Sequence, residues 1–567
     1  MPNYFTDNPD IKLNLERLDL KALADIVEGD YSNAKEHDFA PADREEAAQN
    51  YLDILEVVGD ICAGPIFERS RQIDKEGHIC EDGDVTMNPL VLENLNDFKE
   101  MNLMGISLPY EYGGLNMPQT LKIAIIEMVS RADASLMTLV GLQDIAETIE
   151  DFGDDEQKAK YIPPLAAGDA TGAMVLTEPD FGSDLQSVKT KASPPTDGDD
   201  SGVWYLNGTK RFITNGNGTT LLVLARSEEG TTDGRGLSMF ICSKDKTINI
   251  DRIEDKLGIH GSPTCEMTFN NTPAYLVGKR KFGLIKYIMS LMNGARIAVA
   301  AQALGIAEAA YNLAKEYAET RIQFNKPIIE IPAVYKMLSD MRLNIEAGRL
   351  LLYETGKVVD KLKVSSKNPN ADRKETKFLE RFAGVLTPFA KYFNAEMAND
   401  IAYNGLQVMA GNGYMKDYDM ERYYRDARIT NIYEGTSQLQ AVAAIGGILA
   451  GVLNKVFAKF LESSFNSELQ PLSDSVKSMI MTFDKAVDVV KNKNDHEYVE
   501  FVSERIVKMS LDIYISTLIL DAGTKNDRKL KLAEIWIAES ALRIKENTEF
   551  IISGNRNIID NHSEIII

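Results

Sequence analysis

Ala173-Met174-Val175-Leu176-Thr177-Glu178-Pro179-Asp180-Phe181-Gly182-Ser183-Asp184 marks the point where the chain changes texture. The apolar run into Thr177 predicts a short strand over 173–177, stopped by Pro179 and Gly182. The turn that follows holds hydroxyls and a glycine, so a ligand could approach its backbone N–H groups. Taken alone, the stretch reads equally well as an ordinary polar turn. Upstream, from 49 to about 165, the pattern is helical: Tyr51, Ile54, Leu55, Val58 and Ile61 recur at spacings of three and four, and a second stretch covers 118–131. Residues 1–50 are polar, acidic and weakly periodic, and predict an extension docked on something larger. Downstream, 203–206 and 210–214 flank Asn207-Gly208, a dipeptide that predicts a hairpin turn. Further strands are expected over 221–225, 237–241 and 265–269. Short strands with no helix between them predict a sandwich or small barrel.

After about residue 282 helical periodicity returns. Ile297, Ala300, Leu304, Ala307, Tyr311, Ala314 and Ala318 hold one face, and Val334, Leu338, Met341, Ile345 and Leu352 another. The polar stretch 364–377 predicts a loop, followed by helices over about 378–409 and 437–453. Four such helices imply an antiparallel bundle. From 454 onward a further helical unit is expected, broken at the charged run 491–495. The domain reading is therefore 1–50 extension, 51–170 helical domain, 171–282 β domain, 283–453 bundle and 454–567 additional helical domain. The fold class is α+β, in the order helices, sheet, bundle, extra helices.

Composition narrows the function. The 567 residues carry 62 Lys+Arg against 85 Asp+Glu, a net charge of −23. Such acidity argues against a nucleic-acid binder or a polybasic membrane-surface protein. Cys62, Cys80, Cys242 and Cys265 form no CxxC pair, and the five histidines form no metal-binding pair, so no metal site is expected. The first residues lack a basic stretch followed by an apolar core, and the apolar run 441–453 is too short to span about 30 Å of hydrocarbon. A cytoplasmic protein without an integral membrane segment is the expectation.

Two more segments bear on chemistry. Phe212-Ile213-Thr214-Asn215-Gly216-Asn217-Gly218 sends an aromatic ring and a hydroxyl off a strand together beside a Gly/Asn loop. In Ile432-Tyr433-Glu434-Gly435-Thr436-Ser437-Gln438 a glutamate sits between apolar neighbours and a glycine turn, with Thr436 placed to cap the next helix. That helix terminus favours the charged carboxylate, whereas apolar surroundings raise its pKa.

The order and spacing of Thr-Glu-Pro-x-x-Gly-Ser-Asp, Phe-Ile-Thr-Asn-Gly and Tyr-Glu-Gly-Thr-Ser-Gln strongly resemble the acyl-CoA dehydrogenase family. Arg321-Ile322-Gln323-Phe324 resembles the family's Arg-x-x-Phe, and Gln407-Val408-Met409-Ala410-Gly411-Asn412-Gly413 its Gln-x-x-x-Gly-x-Gly. The resemblance covers about 50–450, and the extensions resemble the long branch that includes 3-(methylthio)propanoyl-CoA dehydrogenase. It implies an α–β–α architecture and the FAD-dependent conversion of an acyl-CoA thioester to a trans-2-enoyl-CoA. Glu434 is implied as the base that takes the α proton while hydride leaves Cβ for the flavin. Some members place the base immediately before an arginine on the first bundle helix. Here that residue is Ala295, which excludes the alternative. The substrate set implied is Ser183, Arg296, Tyr433, Glu434 and Gly435. Asn293 stands where an acidic residue is sometimes found. The FAD set implied is Leu176, Thr177, Gly182, Ser183, Phe212, Thr214, Thr436 and Gln438, joined by Arg321, Phe324, Gln407 and Gly411 reaching a neighbouring subunit. Phe212 stands where many members have Trp. A homodimer is expected, because 454–567 could cover the surface shorter members use to form tetramers. The partners expected are an acyl-CoA and an electron-transferring flavoprotein. An acyl-CoA oxidase on the same fold is the rival reading. Lys279, Arg280, Lys281 and Arg296 are candidates for a locally less acidic cleft that admits anionic CoA.

Overall fold

The computed structural model describes residues 2–194, 202–493 and 495–567. The chain begins with α1 (Pro9–Leu18) and α2 (Leu20–Glu28), then α3 (Arg44–Ile61), α4 (Phe67–Glu76), a small antiparallel pair β1 (Ile79–Glu81) and β2 (Asp84–Thr86), and α5 (Pro89–Glu100). Next come α6 (Gln119–Ala132), α7 (Ala134–Gly141), α8 (Ile145–Phe152) and α9 (Asp155–Ala166). Local chemistry fixes the starts. Asn8 accepts the Asp10 and Ile11 N–H groups ahead of α1, Asp43 those of Glu45 and Glu46 ahead of α3, and Asp154 with Gln157 forms a capping box on α9.

The first 50 residues, expected as an extension docked on something larger, are more ordered than their weak periodicity suggested. Two short helices bury Ile11, Leu15, Leu18, Leu23 and Ala24 in the main core. Elements of nine or ten residues give too few repeats for a clear helical signal.

The β domain contains β3 (Gly172–Val175), β4 (Lys191–Ser193), β5 (Val203–Thr214), β6 (Thr220–Arg226), β7 (Leu237–Ser243), β8 (Ile248–Ile253) and β9 (Thr264–Val277). Pairings β6–β4, β4–β5, β5–β9, β9–β7 and β7–β6 close on themselves, with β3 beside β6 and β8 beside β9. This is a small closed barrel. Alternation along β6 shows its two sides: Leu221, Val223 and Ala225 face one apolar cluster, Leu222 and Leu224 the other.

Asn207-Gly208 does not make a hairpin. Both residues lie inside β5, at a register shift against β9, where Asn207 exchanges hydrogen bonds with Asn271 at 2.9 and 3.0 Å. Gly208 is there for space: a Cβ would lie 2.7 Å from Thr190 Oγ1 and 2.9 Å from Thr190 Cα. A dipeptide suited to a turn also suits a bulge under a close neighbour.

A short turn (Gly283–Ile288) leads into the bundle: α10 (Met289–Thr320), α11 (Pro332–Lys367), α12 (Arg373–Met409), α13 (Gly411–Tyr414), α14 (Met420–Ala427) and α15 (Ser437–Leu449). Between α10 and α11 lies the hairpin β10 (Ile322–Gln323) and β11 (Lys326–Pro327). The loop expected over 364–377 shrinks to 368–372, because α11 runs on through its polar end and Asp372 caps α12. Gly283–Thr320 is long and apolar enough to cross a membrane, but its apolar window is 83% buried inside the protein, so it serves as the bundle's core helix. The chain ends with α16 (Asn454–Leu461), α17 (Gln470–Lys493), α18 (His496–Gly523), α19 (Asp527–Ser553) and α20 (Asn557–Ile565). The break expected at 491–495 falls between α17 and α18, with Asn494 outside the described residues.

A buried ionic cluster ties both ends of the chain to its middle. Arg349 pairs with Asp10 on α1, with Glu127 on α6 at 2.5 Å and with Glu308 on α10 at 2.7 Å. Lys529 on α19 pairs with the same Asp10 and with Glu346 at 2.6 Å, and Arg342 bridges Glu308 and Glu346 at 3.0 and 2.6 Å.

Candidate active site

The turn between α14 and α15 carries Glu434. Its backbone is left-handed, φ +54°, and Gly435 follows at φ +91°. For a non-glycine residue this costs energy and persists only where the surroundings over-determine it. Side chains from three helices grip its carbonyls. Gln440 Nε2 donates to Glu434 O at 3.2 Å and to Gly435 O at 2.8 Å, Lys391 Nζ to Gly435 O at 2.8 Å, and Arg296 Nε to Glu434 O at 3.5 Å. Thr436 caps α15, accepting from Leu439 N at 3.4 Å. The Tyr433 hydroxyl bonds to Gln302, whose Nε2 donates to Ala134 O at 2.8 Å at the start of α7.

The Glu434 carboxylate is left free. Among the described residues it makes no ion pair within 4 Å. Burial pushes its pKa up to about 7, and the nearby Arg296 and Lys391 cations oppose that rise. The arrangement is an unpaired carboxylate on a fixed backbone, with a proton affinity suited to work near neutral pH.

The barrel supplies a second wall. The Thr177 hydroxyl donates to Arg211 O, and Arg211 N donates to Thr177 O at 3.0 Å, so the segment just after β3 is stitched beside Phe212. Phe212 sits at a register shift of β5 with φ +62°, which turns its ring outward, 54% exposed, with the Arg211 guanidinium 4.6 Å from its centre. Beneath it, fully buried Lys210 donates to Leu176 O at 2.8 Å and pairs with Glu178 at 3.0 Å. Glu178 also accepts the N–H groups of Lys189 and Thr190 at 2.7 and 2.8 Å. Leu176 is buried and Thr214 half-buried, whereas Gly182 and Ser183 are exposed, with no atom within 4 Å of where a Gly182 Cβ would lie.

This wall is braced within the barrel, against α7, and against α14 just ahead of Glu434. Asn215 N donates to Pro263 O at 2.8 Å, Thr138 Oγ1 bonds to Ser262 Oγ at 2.8 Å, and Ile259 N donates to Asp426 at 2.6 Å. An outward aromatic ring at a strained bulge, beside a turn with unobstructed backbone, fits a flat cofactor with a phosphate tail.

Arg321, Phe324, Gln407 and Gly411 form a separate group. The hairpin turn has φ +51° at Phe324 and +63° at Asn325, the pattern of a two-residue primed turn, and lifts Phe324 to 86% exposure. Gln407 at the end of α12 and Gly411 at the start of α13 are exposed, and Asn412 Nδ2 donates to Tyr317 OH at 3.1 Å on the last turn of α10. This group lies about 37 Å along α10 from Arg296, from the rise per residue of a helix. One chain therefore does not bring it to Glu434. Gln438 is exposed on the first turn of α15. The sequence reading did not single out Lys391, Gln302 or Gln440; no local pattern marks a lysine on α12 as a neighbour of residue 435.

Family models fit almost the whole chain in order: acyl-CoA dehydrogenase N-terminal domain over 52–169, middle domain over 173–272, C-terminal domain over 285–445, and a further acyl-CoA dehydrogenase C-terminal model over 450–557. The chain is 35% identical over 435 residues to the 3-methylmercaptopropionyl-CoA dehydrogenase of Ruegeria pomeroyi, covering 71% of this chain and 72% of that one. Butyryl-CoA dehydrogenase from Megasphaera elsdenii superposes with a TM-score of 0.61 at 31% identity, over 70% of this chain and 98% of that one. Acyl-CoA dehydrogenase complexed with FAD from Bacillus anthracis shares the fold at a TM-score of 0.75 and 23% identity, over 89% and 88% of the two chains.

Proposed function

This chain belongs to the FAD-dependent acyl-CoA dehydrogenase family of oxidoreductases, and we propose that it abstracts hydrogen from Cα and Cβ of an acyl-CoA thioester with Glu434 as the base. The observation that carries this reading is a strained, immobilised glutamate with a free carboxylate whose pKa is raised to about 7. An ordinary glutamate, at about 4.3, is a feeble base toward a carbon acid. Burial under an acyl chain raises its basicity further. The Glu434 N–H is free to polarise the thioester carbonyl in this reading, because the grip of Arg296, Gln440 and Lys391 falls on carbonyl oxygens. Leu176, Thr177, Gly182, Ser183, Phe212 and Thr214 would hold the flavin end of FAD. Thr436 and Gln438 would hold its adenosine side. Bound FAD supplies the acceptor for the hydride leaving Cβ.

Phe324 at a hairpin tip, with Arg321, Gln407 and Gly411 beside it, supports contact with the FAD of a second subunit. The oligomer proposed is a homodimer, and a native mass of four subunits would overturn it. The electron acceptor proposed is an electron-transferring flavoprotein, and the compartment the cytoplasm. Stoichiometric peroxide release in air would instead favour an oxidase.

The test is Glu434→Gln. The variant should fold, bind FAD and bind acyl-CoA, yet lose anaerobic flavin bleaching by at least about 10³-fold, the scale of a lost general base with its positioning. A panel of butyryl-CoA, octanoyl-CoA and 3-methylmercaptopropionyl-CoA with the wild type would name the substrate class. Bleaching of the variant at the wild-type rate would remove Glu434 from the mechanism.

A further inference from the structure

Lys391 is buried with no exposed surface, midway along α12. A lysine ammonium is almost never buried without a carboxylate partner, because desolvation opposes its charge. Yet among the described residues Lys391 has no carboxylate within 4 Å, and its hydrogen bond runs to a backbone carbonyl, Gly435 O, at 2.8 Å. That carbonyl belongs to the residue after Glu434, at the second of two successive left-handed positions.

The same helix holds the rest of the turn. Glu396 accepts from Asn431 Nδ2 at 3.1 Å and from the Ser437 hydroxyl, so α12 grips the segment before Glu434, at it and after it. Gln440 adds a second donor to Gly435 O at 2.8 Å from α15. The charged and titratable groups facing Glu434 are Arg296 from α10 and Lys391 from α12, with Tyr433 beside it in the chain. Glu396 faces Lys391 from its own helix.

We propose that Lys391 is the positioning residue of the catalytic turn: its amino group fixes the Gly435 carbonyl, and with it the backbone of Glu434, and while protonated supplies a positive field toward the Glu434 carboxylate. The inference rests on Glu434 being the base. Two consequences separate this role from simple core filling. The hydrogen bond acts on geometry and so on the rate of proton abstraction. The charge acts on proton affinity: a cation lowers a neighbouring carboxylate's pKa, so its removal raises that pKa. Burial lowers Lys391 itself to about 7, so its field acts on the acid limb and fades above neutral pH, whereas the neutral amine still donates to Gly435 O.

The experiment uses FAD-loaded Lys391→Met and Lys391→Arg, with stopped-flow flavin reduction under anaerobic conditions from pH 6 to 9.5. The probe is whichever of butyryl-CoA, octanoyl-CoA and 3-methylmercaptopropionyl-CoA reduces the wild type fastest. Lys391→Met should cut the limiting rate at pH 7 about tenfold or more with KM within about threefold, and shift the acid limb upward by about one pH unit, the low end of the effect of one nearby charge. Lys391→Arg, which keeps the charge, should hold the acid limb within about 0.3 unit of wild type. FAD content and circular dichroism establish that each variant is folded; should Lys391→Met fail to load FAD, Lys391→Gln takes its place. A folded neutral variant with the wild-type rate and acid limb would overturn the proposal while Glu434→Gln, if inactive, leaves the base assignment intact. An active Glu434→Gln would overturn both.

Discussion

At the scale of single residues, the electrostatics of Glu434 set the expected pH dependence. The reacting form is the carboxylate, and its pKa is pushed up to about 7 by burial. Flavin reduction in the wild type should therefore rise between pH 6 and 8 and level off above, with a midpoint near 7, measured as the second-order anaerobic bleaching rate at low acyl-CoA, which reports the free enzyme. A profile already flat at pH 5.5 would mean an ordinary, solvated carboxylate. Glu178 shows the opposite case. It stands within a motif that invites a chemical role, but its oxygens are occupied by Lys210 and by the N–H groups of Lys189 and Thr190. Its work is to hold the turn on which Gly182 and Ser183 stand. Sequence separates these two glutamates poorly, because the difference lies in which groups fold back onto each.

At the scale of elements, β5 deserves the most weight, since one strand carries a close approach at Gly208 and an outward ring at Phe212. Gly208→Ala would place a Cβ 2.7 Å from Thr190 Oγ1 in a conformation with φ +148°, which L side chains rarely adopt. The expected loss is about 1–3 kcal/mol of stability, the usual cost of overpacking, read from urea unfolding, with weaker FAD retention because Thr190 and the Glu178 turn must shift. A neutral substitution would mean that the segment at Thr190 yields without cost. The strand class of 203–214 was legible from its composition, but the continuity across Asn207-Gly208 was not. A turn dipeptide signals permissive backbone, and only the neighbours decide whether the chain reverses there. The same limit applied to 364–377, where polar residues extend two helices on a solvent-facing end instead of making a long loop.

At the scale of the whole molecule, the ionic cluster around Arg349 and Lys529 unites the first helix, the bundle and the last domain. Breaking a buried pair by removing one partner leaves an uncompensated charge and typically costs about 3–5 kcal/mol. Lys529→Met, which leaves Asp10 and Glu346 short of a cation, should destabilise the chain by about that much in urea unfolding. The pH consequence has a definite sign. Arg528, Arg342 and Lys529 hold the Glu346 carboxyl below its usual range. The stability it contributes is present above the ordinary carboxylate pKa and lost as pH falls through the lowered value. With Lys529 gone, acid unfolding followed by circular dichroism should begin at a higher pH than in the wild type. Equal stability and an unchanged acid onset would show that the C-terminal domain docks through its apolar contacts alone.

The sequence by itself determined the order of helices, sheet, bundle and further helices, because hydrophobic periodicity and strand composition are local properties that survive without a partner. It also determined the segments around residues 176–183, 212–214 and 434–438, since each is a short run whose residue types are legible in line. Only the tertiary structure decided that Glu434 lies on a left-handed turn gripped by Arg296, Lys391 and Gln440, that Glu178 is a buttress, and that Asp10 and Lys529 share a buried site 519 positions apart. These depend on long-range contacts, and on desolvation that exists only once separate helices have closed around a charge.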